Sequence, residues 1–384
     1  MKIAFLITHA YGMGGTIRTV TTLANQLCQR HDVEVISVNR TRERPFFRLD
    51  PRIRLRPLYD RVDGDGGGWL RGLLSSRRSL LMHRWDKAHS HYNLWGDLRA
   101  LKVIRDLDAD VLIGTRPALS LFAARWAPDR VVKVAQEHSY VFSHHRRVRD
   151  AMRRLYPRLD CVVSLTPASA EDMDAVLGHA GIRHPVIPNS IDTEGRPIST
   201  QQNKLVVAAG RLAPGKQHKH LVKAFARVAR KHPDWKLRIY GAGACRDALR
   251  RQIFKRDLHN HVFLMGQCPN MEREFAKGSI SVMCSRYEGL SMSILESMAC
   301  GVPVVSYDCD HGPRSIITSG EDGLLVRNGD PRALADGIIE LIEDESRRRA
   351  MAKTAIDTAS AYDQRVIARR WEKLFEELLA AKRG

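Results

Sequence analysis

Short runs of aliphatic and β-branched residues alternate along this chain with stretches whose apolar positions recur at helical spacing. Strand-length runs stand at Ile3–Thr8, Val33–Val38, Val111–Gly114, Val131–Ala135 and Cys161–Leu165. Between them, Thr19–Arg30 and Leu94–Leu107 show the clearest helical pattern. A strand covered on both faces reads as a continuous apolar run, so the alternation predicts βαβ units around a parallel sheet. The pattern pauses at Pro188–Pro197 (PNSIDTEGRP), whose prolines and glycine suit a linker. It restarts with Leu205–Ala209, Leu237–Tyr240, Val262–Met265, Ile280–Cys284 and Val304–Tyr307. The expected architecture is therefore α/β, with two doubly wound, Rossmann-like domains over residues 1–195 and 196–363. At the end, Gln364–Ala381 lines up Ile367, Trp371, Leu374, Phe375 and Leu378 on one stripe. That helix, within 364–384, either closes the second domain or packs back onto the first.

One segment departs from the alternation. Gly64–Trp95 opens with GDGGG and then interleaves Trp69, Leu70, Leu73, Leu74, Leu80 and Leu81 with Arg71, Arg77, Arg78 and Arg84. Two readings fit: a basic amphipathic helix lying on an anionic membrane, or a core helix with a solvated basic face.

At 384 residues the chain exceeds one ordinary core and fits two. Its net charge of +19 calls for an anionic partner. Residues 204–256 carry fifteen Lys and Arg against Asp234 and Asp247 alone, so the charge concentrates early in the second domain. No recognition module and no aromatics interleaved with the cations are visible, which argues against nucleic acid. A nucleotide diphosphate, a polyanionic acceptor and an acidic lipid surface remain. The seven cysteines are scattered without a CxxC pair, so reduced thiols in the cytoplasm are expected, and no metal site. No apolar run reaches the roughly 18 to 20 residues of a membrane span. Met1–Thr8 is a strand in length and leads to Gly14-Gly15 rather than to a small-residue cleavage site, so no secretory signal is expected.

The chemistry concentrates where strands run into glycine-bearing loops. After Ile3–Thr8 comes Ala10-Tyr11-Gly12-Met13-Gly14-Gly15 and a helix from about Thr16, an arrangement that lets backbone N–H groups approach an anion. Its spacing is not GxGxxG. After Leu205–Ala209 comes Gly210-Arg211-Leu212-Ala213-Pro214-Gly215-Lys216, which puts two cations at the carboxyl end of a strand, where open α/β sheets bind ligands. A guanidinium fork and an ammonium there could neutralise a departing diphosphate. Tyr240-Gly241-Ala242-Gly243 repeats the loop pattern after the next strand.

Ser285–Pro303 is the most informative segment. Ser291 is placed to cap a short apolar helix running to about Cys300, with Gly301 past its end. Glu296 falls among Met292, Ile294, Leu295, Met298 and Ala299, where an unpartnered carboxylate would cost several kcal/mol, so it needs a partner; a ribose diol is one. Glu288 stands just before the helix, next to Gly289 and Leu290.

The Glu288-x7-Glu296 spacing, the following Met298–Val305, Gly210-Arg211-Leu212 with Lys216, and Pro188-Asn189-Ser190-Ile191-Asp192 together resemble the retaining GT-B glycosyltransferases of family 4. The resemblance implies two domains facing across a cleft and metal-independent transfer from a UDP- or GDP-linked sugar, with retention at the anomeric carbon. It implies that Glu296 holds the ribose, Glu288 the donor hexose or the transition state, and Arg211 and Lys216 the diphosphate. Gly14 and Gly15 would face the phosphates, and His138, in Gln136-Glu137-His138-Ser139, would approach the sugar. The expected catalytic residues are thus Glu288, His138, Arg211 and Lys216. Gly210, Gly241, Gly289, Leu290 and Ser291 complete the donor site with Gly14, Gly15, Arg211, Lys216, Glu288 and Glu296. The acceptor would be a glycan, an anionic wall polymer or a lipid-linked saccharide, met in the cytoplasm or on the inner membrane face. Ser190, Gln217 and Ser315 depart from the family pattern; Ser315 stands where many relatives have a glutamate. A GT-B sugar-nucleotide 2-epimerase and a non-catalytic GT-B scaffold are the rival readings.

Overall fold

In a computed structural model, which describes residues 1–63, 68–178 and 181–383, the apolar runs of the first half become strands of one parallel sheet. These are β1 (Lys2–His9), β2 (Asp32–Arg40), β3 (Arg54–Asp60), β4 (Val111–Gly114), β5 (Val132–Gln136) and β6 (Cys161–Val163), in the order β3-β2-β1-β4-β5-β6. The helices between them are α1 (Gly15–Leu27), α2 (Gly68–Ser75), α3 (Leu94–Arg105), α4 (Pro117–Trp126), α5 (Arg146–Leu155) and α6 (Pro167–Leu177). Alternate residues of β1 feed opposite cores: Ile3, Phe5 and Ile7 face one side, Ala4 and Leu6 the other. That two-sided burial is the reason the strand reads as an unbroken apolar run.

The second unit repeats the design with β7 (Leu205–Ala209), β8 (Lys236–Tyr240), β9 (Val262–Gly266), β10 (Ile280–Met283), β11 (Val304–Tyr307) and β12 (Gly323–Val326), ordered β12-β11-β10-β7-β8-β9. Its helices are α7 (His218–Lys231), α8 (Arg246–Lys255), α9 (Met271–Ala276), α10 (Met292–Met298), α11 (Pro331–Glu343) and α12 (Glu345–Ser360). The last helix, α13 (Gln364–Arg383), belongs to the first unit, which comprises Met1–Ser190 with Gln364–Gly384; the second is Ile191–Asp363. Ile367, Trp371, Leu374, Phe375 and Leu378 enter the same core as Ile3, Phe5 and α1, and Glu372 binds Arg30 at 2.7 Å and His31 at 3.0 Å.

The edge strands β3 and β12 are not apparent in the sequence pattern. Arg54 and Arg56 give β3 a charged face, which lies against Glu34 of β2 at 3.6 and 2.8 Å. β12 is four residues long. Edge positions tolerate charge and proline, so β3 lacks the signal that central strands and the apolar edges β6 and β9 carry.

Gly64–Trp95 is corrected by the structure. Gly64–Gly67 lies outside the described residues; beyond it, the helix ends at Ser75 and has no buried residue, so it is not a core helix. The chain leaves helical geometry because a buried carboxylate captures it. Asp97 accepts from Ser79 Oγ at 2.7 Å and from the N–H groups of Leu80 and Leu81 at 2.7 and 2.9 Å. These donors would otherwise serve a helix. Trp69, Leu70, Leu73 and Leu80 stay exposed.

Candidate active site

Strand order in the second unit reverses between β7 and β10, the point at which open sheets leave a crevice at their carboxyl ends. The loops following these two strands carry the candidate cations and the first glutamate. Two hydrogen bonds tie them together: Arg286 N–H donates to the Gly215 carbonyl at 2.9 Å, and the Cys284 thiol to the Lys216 carbonyl at 3.2 Å. Across this join the Lys216 ammonium donates to the Glu288 carboxylate. Both side chains are sheltered, at 29% and 12% exposure, so water screens the pair only partly. Gly312, at the bend after β11, packs against the base of the Glu288 side chain: a Cβ there would come 2.8 Å from Glu288 Cβ and 3.3 Å from Ser291 N.

Gly241 is demanded by packing. Its φ is +136°, and a Cβ would fall 1.9 Å from the Gly210 carbonyl oxygen, so the loops after β7 and β8 touch through backbone alone. Leu290 and Ser291 are buried beside the half-buried Gly289. Ser291 occupies the cap position of α10 without capping it, which corrects the sequence reading. Its hydroxyl pairs with Ser293 Oγ at 3.3 Å, and its carbonyl accepts from Ile294 N–H at 3.1 Å. The helix also stops at Met298 rather than near Cys300.

Glu296 is 6% exposed, as its apolar neighbours require. Within the folded chain it already has an interaction partner, so burial alone does not call for a ligand there. Arg196, on the stretch leading into the second unit, donates to the Glu296 backbone carbonyl at 3.4 Å, and both residues act on the Cys300 thiol. Nothing in the pattern around Arg196 announces it. His218 was likewise not legible. It begins α7 behind Gly210, where burial first and Lys216 next push its imidazole down to about 4. Arg211 remains exposed on its loop. Ser315 turns inward on its own bend, donating to the His311 carbonyl at 2.7 Å. The cysteines are free, and burial pushes Cys284 and Cys309 up to about 12, which suits packing rather than nucleophilic chemistry.

In the first unit the reversal falls between β1 and β4. Gly14 and Gly15 open α1 there, with nothing within 4 Å of a Cβ built on Gly15. His138 follows β5; its ring nitrogens are buried without a hydrogen-bond partner, and burial lowers it to about 4 although the Asn189 side chain opposes the shift. Next to it Glu137 accepts from Tyr156 Oη, and burial raises that carboxyl to about 7. Arg116 binds the fully buried Asp86 at 2.7 Å, which also accepts from Ala118 N–H, in the first turn of α4, at 3.3 Å.

Comparison with known proteins decides the family. The model of group 1 glycosyl transferases matches residues 192–358, and that of glycosyltransferase family 4 matches residues 13–195. The chain belongs to the group 1, family 4 glycosyltransferases. Among solved structures, Staphylococcus aureus TarM superposes with a TM-score of 0.80 at 15% identity, over 98% of this chain and 99% of that one. Sucrose-phosphate synthase of Thermosynechococcus elongatus also superposes at 0.80, with 19% identity over 99% of this chain and 100% of that one. These likenesses show the GT-B fold. An exopolysaccharide phosphotransferase of Streptomyces coelicolor is 37% identical over 100% of this chain but only 41% of its own length. Poly(glycerol-phosphate) alpha-glucosyltransferase of Bacillus subtilis is 30% identical over 62% of this chain and 35% of its own. The family-4 chain thus spans well under half of these two relatives.

Among the described residues of this family-4 chain, no helix is long and apolar enough to cross a membrane. The first unit also holds a Ser–His–Asp order: Ser164 Oγ lies 2.8 Å from His184 Nε2, whose Nδ1 lies 2.7 Å from Asp174. At 1% exposure Ser164 is closed to a substrate, so the trio ties the chain after α6 to β6.

Proposed function

We propose that this chain moves a hexose from a UDP- or GDP-linked sugar to a hydroxyl of a glycan, wall polymer or lipid-linked acceptor, with retention. The bond from the anomeric carbon to the diphosphate oxygen breaks, and the acceptor oxygen bonds to that carbon on the same face. The acceptor proton passes to the departing diphosphate. The Lys216–Glu288 pair carries this reading. A diphosphate arriving at the loops after β7 and β10 would draw Lys216 from Glu288, adding Arg211 from the same loop. The released carboxylate would then be free for the sugar hydroxyls. Two fixed cations supply charge where it develops on the leaving group, so the step needs no metal. Glu296 would serve the ribose, and His138, neutral at pH 7, would meet the sugar as a hydrogen-bonding group rather than a cation.

Exposed Trp69, Leu70 and Leu73 on α2 support a peripheral position on the inner face of an anionic membrane. The test of the main reading is incubation with labelled UDP- and GDP-sugars, with and without acceptor. Label in the acceptor only when acceptor is present supports transfer. Conversion of the free nucleotide sugar to its epimer would replace it with the epimerase.

A further inference from the structure

The first unit carries a cationic centre of its own. Trp85 stacks on His145 with ring centroids 4.3 Å apart, and the guanidinium groups of Arg84 and Arg147 lie 5.4 and 5.0 Å from the Trp85 ring. This stack fastens the stretch before α3 to the leader of α5. It thereby brings Lys87, Arg116 and Arg149, with the carboxylate of Asp86, to bear on the buried imidazole of His144, and Arg116 and Asp86 also act on the buried carboxyl of Glu137. Asp86 is already engaged by Arg116 at 2.7 Å, by Ala88 N–H at 2.8 Å and by Ala118 N–H at 3.3 Å. Lys87 is exposed and has no ion-pair partner among the described residues. His144 is 6% exposed, and both ring nitrogens lack a hydrogen-bond partner.

Buried polar atoms without partners are rare in folded proteins, and cations outnumbering their carboxylate call for an anion. We propose that Lys87, Arg116, His144 and Arg149 form a phosphate subsite that takes a phosphodiester of the acceptor chain. The inference rests on the transferase reading for the word acceptor, but not for the anion. Arg84 and Arg147 extend the charge beyond one phosphate, which favours a repeating phosphodiester over a single terminal diphosphate.

The test is equilibrium binding of a soluble glycerol phosphodiester oligomer to the full chain, with UDP present to occupy the donor loops. Lys87→Glu and, separately, Arg149→Glu should each weaken oligomer binding roughly tenfold, the loss of one charge-assisted contact. UDP binding and the melting temperature should not change. Lys216→Ala should leave oligomer binding as it is. Oligomer binding unchanged in both charge reversals overturns the subsite, as does tighter, Lys87-dependent binding of farnesyl diphosphate than of the oligomer. A chain that fails to bind UDP yet binds the oligomer through Lys87 would sink the donor reading and keep the subsite.

Discussion

Lys216 donates a hydrogen bond to the Glu288 carboxylate, joining the loop that follows β7 to the loop that follows β10. Each partner holds the other in place. Lys216→Ala should therefore weaken nucleoside diphosphate binding by roughly tenfold to a hundredfold, the range of one or two charge-assisted contacts. Glu288→Gln should leave or tighten that binding while lowering kcat about a hundredfold or more. Calorimetric titration with UDP and GDP, beside initial rates, separates the two effects. Equal losses of binding in both variants would count against the exchange of partners.

Gly241→Ala should destabilise the second unit by about 2 to 4 kcal/mol, since the backbone is left-handed and the new methyl would overlap the Gly210 carbonyl. Denaturant unfolding measures it. Gly15→Ala, at a position open within its unit, should shift stability by less than about 0.5 kcal/mol. If diphosphate approaches α1, Gly15→Ala will instead show in nucleotide-sugar binding.

Glu137 has a folded carboxyl raised to about 7, so the native state keeps its proton where the unfolded chain has lost it. Its contribution to stability is complete below the ordinary carboxylate range and lost as pH rises through about 7. The loss is on the order of 3 kcal/mol. Glu137→Gln removes this dependence and keeps an acceptor for Tyr156. The variant should therefore melt higher than the native chain at pH 8, with the difference vanishing near pH 4.5. A difference constant with pH would show that the carboxyl does not titrate as described.

His144 and His218 are both pushed by burial down to about 4, so they act in the opposite sense. Their contribution is present above the ordinary imidazole range and falls as pH drops toward about 4, by about 3 kcal/mol for each group. Melting followed between pH 7 and pH 4 should show this decline, and His144→Phe should reduce it. A phosphate bound at His144 would raise its imidazole, so the oligomer should blunt the acid loss.

On α2, Trp69→Ala with Leu73→Ala should change stability by less than about 0.5 kcal/mol, because neither side chain is buried. Sedimentation with phosphatidylglycerol vesicles should fall in the double variant. Sedimentation equal to that of the native chain would remove the membrane position.

Much of the fold was legible because parallel strands are buried on both faces. Phe5, Ile113, Val134, Val207 and Val282 sit in runs that a half-exposed strand would not have. The edge strand β3 was silent for the converse reason, as Arg54 and Arg56 show, whereas the opposite edges β6 and β9 kept apolar runs and were legible. The candidate site was legible as loop chemistry: Lys216, Glu288 and Gly241 stand at strand ends in the sequence and at strand ends in the sheet. The helix expected through Leu80 and Leu81 failed because Asp97, sixteen residues or more along the chain, takes their N–H groups.

By itself the sequence determined the class of fold, the division into two sheets and the family, since periodicity and motif order are properties of neighbours along the chain. Tertiary structure decided the partners. That Lys216 meets Glu288 across 72 residues, that Arg196 reaches the Glu296 backbone, and that Lys87 and His144 share one carboxylate are matters of which loops the strand order brings together. Charge and burial act through space, and no local pattern records which side chains will share it.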